Sequence, residues 1–286
     1  MKTETTRHCR NNRISAGLRP AVLCATAIGL AMAPGALAQC DPPPTGSMVA
    51  WYTLDESGGG LSGNLATGNT GVWSSPPPIP VSTGKVGGAL KFDGFSNYVE
   101  APDTIVTNFG PAGSATCGGG DYSTCQGDFS VDAWVNIPAQ PTTDTIVDKR
   151  DTTPIGYSFF LITYLGGPKL GIQLGDSTGY GNYLSPKLTG LTLNAWHHVA
   201  ATVRRTGSPN GVIRWYLDGV AHGTSVPGHP GSLVNKFPLR IGANGAANPG
   251  AFFNGMLDEV EIFNRVLTAT EVQNIFLAGS SGKCRP

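Results

Sequence analysis

The sequence predicts an all-β protein, a sandwich of two antiparallel sheets with one short helix near the C-terminus. About a dozen short extended segments are separated by turn signals roughly every 8–15 residues, which favours a sandwich over a parallel α/β sheet. Forty glycines and 22 prolines, beside only 13% charged residues, indicate many turns and little helix. We find no second domain, repeat or long linker.

The first 38 residues have the composition of an export signal. Basic residues come first, Ala21–Ala33 is apolar, and Ala36-Leu37-Ala38 forms an A-x-A cleavage site. An apolar run of this length is too short for a bilayer, which needs about 20 residues. We therefore predict cleavage after Ala38, no membrane span, and a secreted, extracellular or periplasmic protein. A retained anchor is one alternative and lipidation of Cys40 another, although Gln39 is a poor residue before a lipidated cysteine.

Removal of this leader would make the net charge negative. The leader holds five of the 19 basic residues and one of the 19 acidic residues, which leaves 14 against 18 and a net charge of −4. Nucleic acids and anionic membranes both require a basic footprint. Neither is therefore expected as the main partner.

Four cysteines remain after residue 38, at positions 40, 117, 125 and 284. An even number in an exported chain suggests two disulfides, with three connectivities open. We favour Cys117–Cys125, which closes a small loop in a Gly-rich insertion, and Cys40–Cys284, which ties the two ends together. A zinc site is disfavoured because there is no CxxC pair and the histidines are not spaced with the cysteines.

The N-terminal part of the domain, which we place at 48–286 after a Pro-rich lead-in at 39–47, begins with a strand. This strand, 48–54, ends at Asp55-Glu-Ser-Gly. Residues 61–80 are predicted as turn and loop, because Pro76-Pro-Pro78 is incompatible with a central strand. Two strands, 85–93 and 98–101, flank a turn-rich pentapeptide.

The central part of the domain contains the clearest strand, 128–137, where apolar and polar residues alternate strictly. Asp218-Gly219 is predicted as a hairpin turn. The other segments with strand character are 145–149, 157–164, 169–174, 183–184, 196–204, 212–217 and 238–241.

The chain ends as a strand, a helix and a cysteine. In the strand 256–263, Met256, Asp258, Val260 and Ile262 are predicted on one face and Leu257, Glu259, Glu261 and Phe263 on the other. Thr268 and Glu271 then form a capping box, apolar residues follow at helical spacing, and Gly279 supplies the stop. We expect the first and last strands to pair, since the terminal cysteines allow it.

Five segments occur in an order that resembles a known family: KVGGALKFDGFSNYV (Lys85–Val99), DFSVDAWV (Asp128–Val135), WHHVAATV (Trp196–Val203), YLDG (Tyr216–Gly219) and GMLDEVEIFNRVLTATEV (Gly255–Val272). Together they resemble the LamG-like (laminin G-like) domains of the concanavalin A-like lectin/glucanase superfamily, over nearly all of residues 48–284. The resemblance implies a two-sheet antiparallel jelly roll, often used for glycan or protein binding, with structural calcium in some members.

From this resemblance, the leading hypothesis is a secreted, non-catalytic binding or adhesion module that recognises glycan through its loops. Trp73, Tyr157, Tyr180 and Tyr183 are placed in or beside loops, where they could stack on sugar rings or pack as lids. The alternatives are a glycoside-active enzyme and a structural module that binds a cell-surface or extracellular protein. Fold alone does not choose among them.

Two carboxylates, Asp93 and Asp258, are the candidate ligands of a structural Ca²⁺, which prefers several hard oxygens. The alternative is that Asp93 caps a turn and Asp258 accepts backbone hydrogen bonds. If the side of the strand that holds Asp258 is internal, its charge needs a partner.

Other polar motifs are interpreted as structural. Glu259 and Glu261 would lie about 7 Å apart on one strand face, but the E-x-D-x-x-E order of the superfamily's glucanases is missing, so a solvated face is predicted. Ser177 lies in a G-x-S-x-G pattern, yet no helix can start after it, and a hairpin turn fits better. His197 and His198 alternate across a strand and cannot bind one metal together.

Overall fold

The computed structural model describes residues 40–44, 46–113, 127–205, 211–245 and 248–286. Within these ranges the chain forms strands and one α-helix, as predicted. The helix is α1 (Ala269–Leu277), and 3-10 turns lie at Ile105–Thr107 and Gly279–Ser281. The strands are β1 (Met48–Tyr52), β2 (Leu61–Ser62), β3 (Gly71–Trp73), β4 (Ile79–Val86), β5 (Gly88–Asp93), β6 (Val99–Ala101), β7 (Phe129–Asn136), β8 (Thr143–Arg150), β9 (Gly156–Thr163), β10 (Pro168–Asp176), β11 (Gly179–Leu184), β12 (His197–Arg204), β13 (Val212–Leu217), β14 (Val220–Ser225), β15 (Leu239–Ile241) and β16 (Asn254–Phe263).

The strands form two antiparallel sheets. The first sheet has the order β14-β13-β12-β7-β16-β5-β4, and β1 pairs with β16. The second sheet has the order β11-β10-β9-β8-β15-β6-β3-β2. A single apolar core holds side chains of both sheets, such as Val131 and Ile262 from the first and Phe159 and Ile172 from the second. Burial of these inner faces stabilises the sandwich, at roughly 1.5–3 kcal/mol for each large side chain.

The segment 85–93, predicted as one strand, spans the turn of a hairpin between β4 and β5. Gly87 makes this turn with φ +76°, and a Cβ there would lie 2.8 Å from an oxygen of Asp55. β4 continues through Pro80 at the sheet edge, where a missing N–H is tolerated. The short strands β2 and β3 and the strand β14 were not predicted.

β16 lies between β7 and β5, and its face pattern differs from the prediction. The pairing with β7 shifts between Asp258 and Glu261, and Glu259 has φ +49°. This bulge adds one residue and therefore exchanges the two faces. As a result Leu257 joins Val260 and Ile262 in the core. The prediction that Leu257 lies on the face opposite these two residues was wrong.

The chain ends meet beside β16. The β1–β16 pairing and the Cys40–Cys284 disulfide are confirmed. Asp41 N donates to Gly282 O and Cys284 N donates to Asp41 O, each at 2.9 Å. Cys117, Cys125 and the predicted leader lie outside the described residues. In the part of the chain that the structure describes, no helix is long and apolar enough to cross a bilayer.

The helix α1 covers the outer face of the first sheet. Its capping box is confirmed: the Thr268 side chain accepts from Glu271 N, and the Glu271 carboxylate accepts from Thr268 N. Its buried side chains Val272 and Ile275 pack with Tyr216 and Phe263 of the sheet. The central part of the first sheet is thus packed on both faces.

Candidate functional site

The outer face of the second sheet carries an open groove of about 470 Å³. Its walls come from β8, β9, β10 and β11, whose core-facing residues alternate with residues that point outward. On β9, for example, Tyr157 and Phe159 belong to the core while Ser158 and Phe160 line the groove. The other lining side chains are Thr143, Thr145, Arg150, Ile162, Tyr164, Gln173, Asn182, Leu184 and Asn244.

The strand register arranges the groove residues in two parallel rows. One row is mainly apolar and crosses the four strands as Thr145, Phe160, Gly171 and Leu184. The next row is polar: Ser158, Gln173 and Asn182 line the groove, and Asp148 continues the row beside it, opposite Ser158 on β8. Successive residues on one face of a strand are about 7 Å apart, so the two rows lie side by side.

Gly171 makes room for the apolar floor. A Cβ at this position would lie 2.3 Å from Phe160 Cε2 and 3.0 Å from Leu184 Cδ2. The absent side chain lets the Phe160 ring lie across β10, where the ring is 7% exposed. The Phe160 ring therefore forms part of the floor of the groove.

Each of the two rows contains one buried hydrogen-bonding atom that lacks a partner in the described part of the chain. Gln173 Nε2 donates to Asn182 Oδ1 at 2.9 Å, and Ser158 Oγ donates to Val147 O at 3.2 Å. Gln173 Oε1 in the polar row and Thr145 Oγ1 in the apolar row are both buried, and neither has a hydrogen-bond partner among the described residues. Unpaired buried polar atoms are costly and therefore uncommon. Both atoms belong to side chains that line the groove.

The charges beside the groove are paired with each other. Arg150 Nε lies 2.5 Å from Asp148 Oδ1, and Nη2 lies 3.2 Å from Oδ2. Burial raises the pKa of Asp148, although Arg150 partly offsets this effect. None of the described side chains that line the groove is a carboxylate.

The four aromatic residues predicted to contact ligand lie in different environments. Trp73 is 9% exposed and donates to Ser62 Oγ, and Tyr157 is fully buried in β9 and donates to Thr107 O. Neither ring can stack on a sugar, because strand pairing holds both inside the sandwich. Tyr183 packs against the core, and its hydroxyl accepts from Gly228 N. Tyr180 is 56% exposed and shares a face of β11 with Asn182.

The two candidate calcium ligands are bound to backbone groups and lie apart. Asp93 accepts from Phe95 N and from Ser96 N and Oγ; these hydrogen bonds outweigh burial and lower its pKa. Asp258 accepts from the N–H groups of Lys85 and Val86, at 2.7 and 2.8 Å.

The strand register also separates these two carboxylates. Asp93 is opposite Asn254, so Asp258 lies about 13 Å farther along β16. Among the described residues there is no group of three or more His, Cys, Asp or Glu that could hold a metal. Calcium binding stays a prediction.

The predicted solvated face of Glu259 and Glu261 is instead buried, at 3% and 0% exposure. The C-terminal segment covers it, because Lys283 Nζ lies 2.5 Å from Glu261 Oε1. Trp51 Nε1 donates to Glu259 Oε2 at 2.7 Å. With Asp132 directly opposite Glu261 and the buried Asp258 nearby, these residues form an acidic cluster: Asp132, Asp258, Glu259 and Glu261.

Burial raises the pKa of every carboxyl in the acidic cluster. The pKa of Asp132 rises to about 6, and those of Asp258 and Glu259 rise to about 8. Burial also raises the pKa of Glu261 well above its ordinary value, and the neighbouring Asp132 adds to the effect. Burial alone would lower the pKa of Lys283, but Glu261 and Asp132 raise it. The acidic cluster is buried, and the raised pKa values of its carboxyls make the free energy of unfolding depend on pH.

We expect the free energy of unfolding to fall as pH rises from 5 to 9. A carboxyl whose pKa is higher in the folded chain binds a proton that the unfolded chain releases above about pH 4, so stability is lost up to the folded value near 8. Between pH 5 and 8, one such carboxyl costs about 4 kcal/mol, which would lower Tm by roughly 8–16 °C. Thermal unfolding followed by circular dichroism at pH 5, 7 and 9 measures it.

The matched control for this pH dependence is the double variant Asp258→Asn, Glu259→Gln, which should have a flatter profile. His198 acts in the opposite sense at lower pH, since burial lowers its pKa to about 3. His198 therefore lowers the free energy of unfolding only as pH falls below about 6.5, which is outside most of the range measured. A Tm that stayed constant or rose between pH 5 and 9 would contradict the assignment.

The histidines and Ser177 have structural surroundings. His197 Nδ1 lies 2.8 Å from Asp218 Oδ2, while His198 packs against Trp134 on the other face of β12. Ser177 lies in the turn between β10 and β11, as predicted.

The groove residues themselves were missed by sequence reasoning. A signal was present in β9, where Phe159 and Leu161 alternate with the equally apolar Phe160 and Ile162. When both faces of an antiparallel strand are apolar, the outer face is expected to pack against another element or to contact a binding partner.

Comparisons with known proteins give the same fold. A family described as Laminin_G_3, concanavalin A-like lectin/glucanases superfamily, matches residues 93–273. The binding domain of Paraclostridial Mosquitocidal Protein 1 aligns at 15% identity with a TM-score of 0.59, over 80% of this chain and 52% of that one. The botulinum neurotoxin serotype G binding domain aligns at 14% identity with a TM-score of 0.57, over 80% and 50%.

A third structure is matched over nearly its whole length. Domain 4 of AbnA, a GH43 extracellular arabinanase from Geobacillus stearothermophilus, aligns at 19% identity with a TM-score of 0.52, over 81% of this chain and 98% of that domain. By contrast, the match spans about half of each toxin binding domain. No curated protein matches the sequence. Identities this low establish the fold alone.

Proposed function

Because the chain belongs to the concanavalin A-like lectin/glucanases superfamily, we propose that it is a secreted, non-catalytic module that binds glycan in the groove of its second sheet. The observation that carries this proposal is the pairing of an apolar row through Phe160 and Leu184 with a polar row through Gln173 and Asn182. A sugar ring has an apolar C–H face and a rim of hydroxyls, so it matches both rows. Mostly apolar pockets with a few placed polar groups are typical of ligand sites.

This proposal moves the ligand contact from the loops to the sheet face. Of the aromatic residues first considered, Tyr180 is the one exposed on the face of β11 that carries Asn182. Tyr164 lines the groove at the end of β9 and is 49% exposed. Both rings are placed to contact a ligand that extends beyond Phe160.

A structural neighbour supports a saccharide ligand. Domain 4 of AbnA, which this chain matches over 98% of that domain, was solved in complex with arabinotriose. That domain, which has this fold and a similar length, therefore holds an oligosaccharide. The Cys40–Cys284 disulfide fits an exported protein.

The position of the carboxylates favours binding over hydrolysis. A retaining glycosidase needs two carboxyl groups about 5–5.5 Å apart at the substrate. The acidic cluster lies in the first sheet under the C-terminal segment, and the described lining of the groove is amide, hydroxyl, guanidinium and apolar. A reducing-sugar assay on mixed polysaccharides tests the enzyme alternative. A protein-binding module would instead give negative glycan arrays and a positive pull-down.

We expect the purified chain to bind glycans on an array, tested both with CaCl₂ and with EDTA, and Phe160→Ala to weaken that binding. Loss of the ring removes the apolar floor of the groove, with an expected drop in affinity of about tenfold. Titration calorimetry with the best array ligand measures it.

The matched control for this loss is Phe95→Ala. Phe95 is 82% exposed and lies in the turn after β5, so its replacement should leave the affinity unchanged. The absence of any glycan ligand, or equal affinities for Phe160→Ala and wild type, would refute the proposal. A difference between the CaCl₂ and EDTA arms would show that calcium contributes.

A further inference from the structure

We infer that the ligand of the groove is a neutral oligosaccharide and that Gln173 and Asn182 select it by holding two adjacent hydroxyls. This inference rests on the glycan-binding function proposed above. It adds the chemical class of the ligand and a pair of specificity-determining residues.

The amide pair is fixed by its position on adjacent strands. Gln173 on β10 lies directly opposite Asn182 on β11, and Gln173 Nε2 donates to Asn182 Oδ1 at 2.9 Å. This hydrogen bond holds the two amides side by side, and the Asn182 Nδ2 group carries N–H donors for a ligand. Gln173 Oε1 is left to accept, since it is buried and no described residue donates to it.

The pair therefore offers one acceptor and one donor next to each other. A hydroxyl group both donates and accepts. Of two neighbouring hydroxyls on a sugar ring, one can donate to Gln173 Oε1 while the other accepts from Asn182 Nδ2. Such a ligand also removes the cost of leaving the Gln173 oxygen unpaired.

A second unpaired atom lies on the other side of the aromatic floor. Thr145 Oγ1 is buried and has no partner within the ranges that the structure describes, and Thr145 is directly opposite Phe160 on β8. The Thr145 hydroxyl thus lies beside Phe160 toward β8, and the amides of Gln173 and Asn182 lie in the neighbouring row toward β11. From β8 to β11 the rows cross three strand intervals, about 14 Å, which favours an oligosaccharide that lies across the strands.

The charges favour a neutral ligand over an acidic one. The Arg150 guanidinium already makes two contacts with Asp148, and Asp148 also accepts from Gly245 N. A ligand carboxylate in the polar row would face Gln173 Oε1 and the Asp148 carboxylate without a free cation from Arg150. Placing a charge there without a partner is unfavourable.

The experiment is titration calorimetry of the purified chain with arabinotriose, xylotriose, laminaritriose and trigalacturonic acid. Wild type should bind at least one of the three neutral trisaccharides, and trigalacturonic acid at least tenfold more weakly. Gln173→Met keeps the length of the side chain and removes the amide, so the affinity should fall about tenfold. The matched control is Gln273→Met on the exposed face of α1, with no change expected.

A deoxy version of the best neutral ligand, lacking one of two adjacent hydroxyls, tests the pairing itself. It should bind wild type more weakly than the parent sugar, and this difference should shrink in Gln173→Met. Gln173→Met should melt within about 2 °C of wild type, because it deletes an unpaired buried acceptor together with one hydrogen bond.

The outcomes distinguish a failure of the proposed function from a failure of this inference alone. If wild type binds none of these sugars and no array glycan, the proposed function fails. If wild type binds a neutral sugar but Gln173→Met binds it equally well, or if trigalacturonic acid is preferred, this inference fails while the proposed function stands. If Gln173→Met melts far below wild type, Gln173 is structural and its assignment to specificity is overturned.

Discussion

Replacing Lys283 by Met is expected to lower the free energy of unfolding by about 3–5 kcal/mol at pH 7. The Lys283 side chain is 3% exposed, and its Nζ lies 2.5 Å from an oxygen of the fully buried Glu261. Asp132, also buried, is directly opposite Glu261. Without the ammonium group, two facing carboxyls lose their cation in a region that water does not reach. Urea unfolding of the variant and wild type measures the loss.

Two further variants test whether the loss of stability comes from the buried charges. Lys91→Met, at an exposed position of β5, should change stability by no more than about 0.5 kcal/mol. Adding Glu261→Gln to Lys283→Met should recover part of the loss, because it removes one of the two uncompensated carboxyls. If Lys283→Met unfolded at the same urea concentration as Lys91→Met, the ion pair would have no role in stability.

Features set by local sequence were predictable. The alternation over 128–137 gave the strand β7, and the Thr268–Glu271 spacing gave the start of α1. Each depends on residues within a few positions of one another, so the periodicity of a strand or the geometry of a cap is visible in the sequence.

Features set by distant residues were not predictable. The bulge at Asp258–Glu259 exchanges the faces of β16, and no glycine or proline marks it in the sequence. Glu261 is buried because Lys283 covers it, 22 positions later. The Phe160 ring packs over Gly171 because the register of β9 on β10 places the two residues opposite each other. The periodicity of either strand alone does not reveal this contact.

The outer faces of the two sheets differ in what covers them. On the first sheet, α1 and the C-terminal segment cover the acidic cluster and the apolar residues around Tyr216. On the second sheet, the groove stays open, with Phe160 and Gln173 beside each other. Among the described residues no segment covers this face of mixed apolar and polar character, which is why we propose binding on the second sheet and assign a role in stability to the covered face of the first.

Removing the Cys40–Cys284 disulfide by the double variant Cys40→Ala, Cys284→Ala is expected to destabilise the chain by about 5 kcal/mol. The bridge joins residues 244 positions apart, so its loss frees a very long loop in the unfolded chain. In the folded chain, Lys283 adjoins Cys284, and Asp41 pairs with this segment through two backbone hydrogen bonds. The disulfide therefore also holds the cover of the acidic cluster in place. Urea unfolding under non-reducing conditions measures the effect.

This coupling predicts that the disulfide variant and Lys283→Met will not be additive. Both act through the segment that covers Glu261, so once the disulfide is gone, Lys283→Met should cost less than it does in wild type. The groove lies on the other sheet, and glycan affinity below the unfolding transition should stay unchanged. Strictly additive losses, or a disulfide effect below about 1 kcal/mol, would contradict this account, because the C-terminal segment would then stay in place without its bridge.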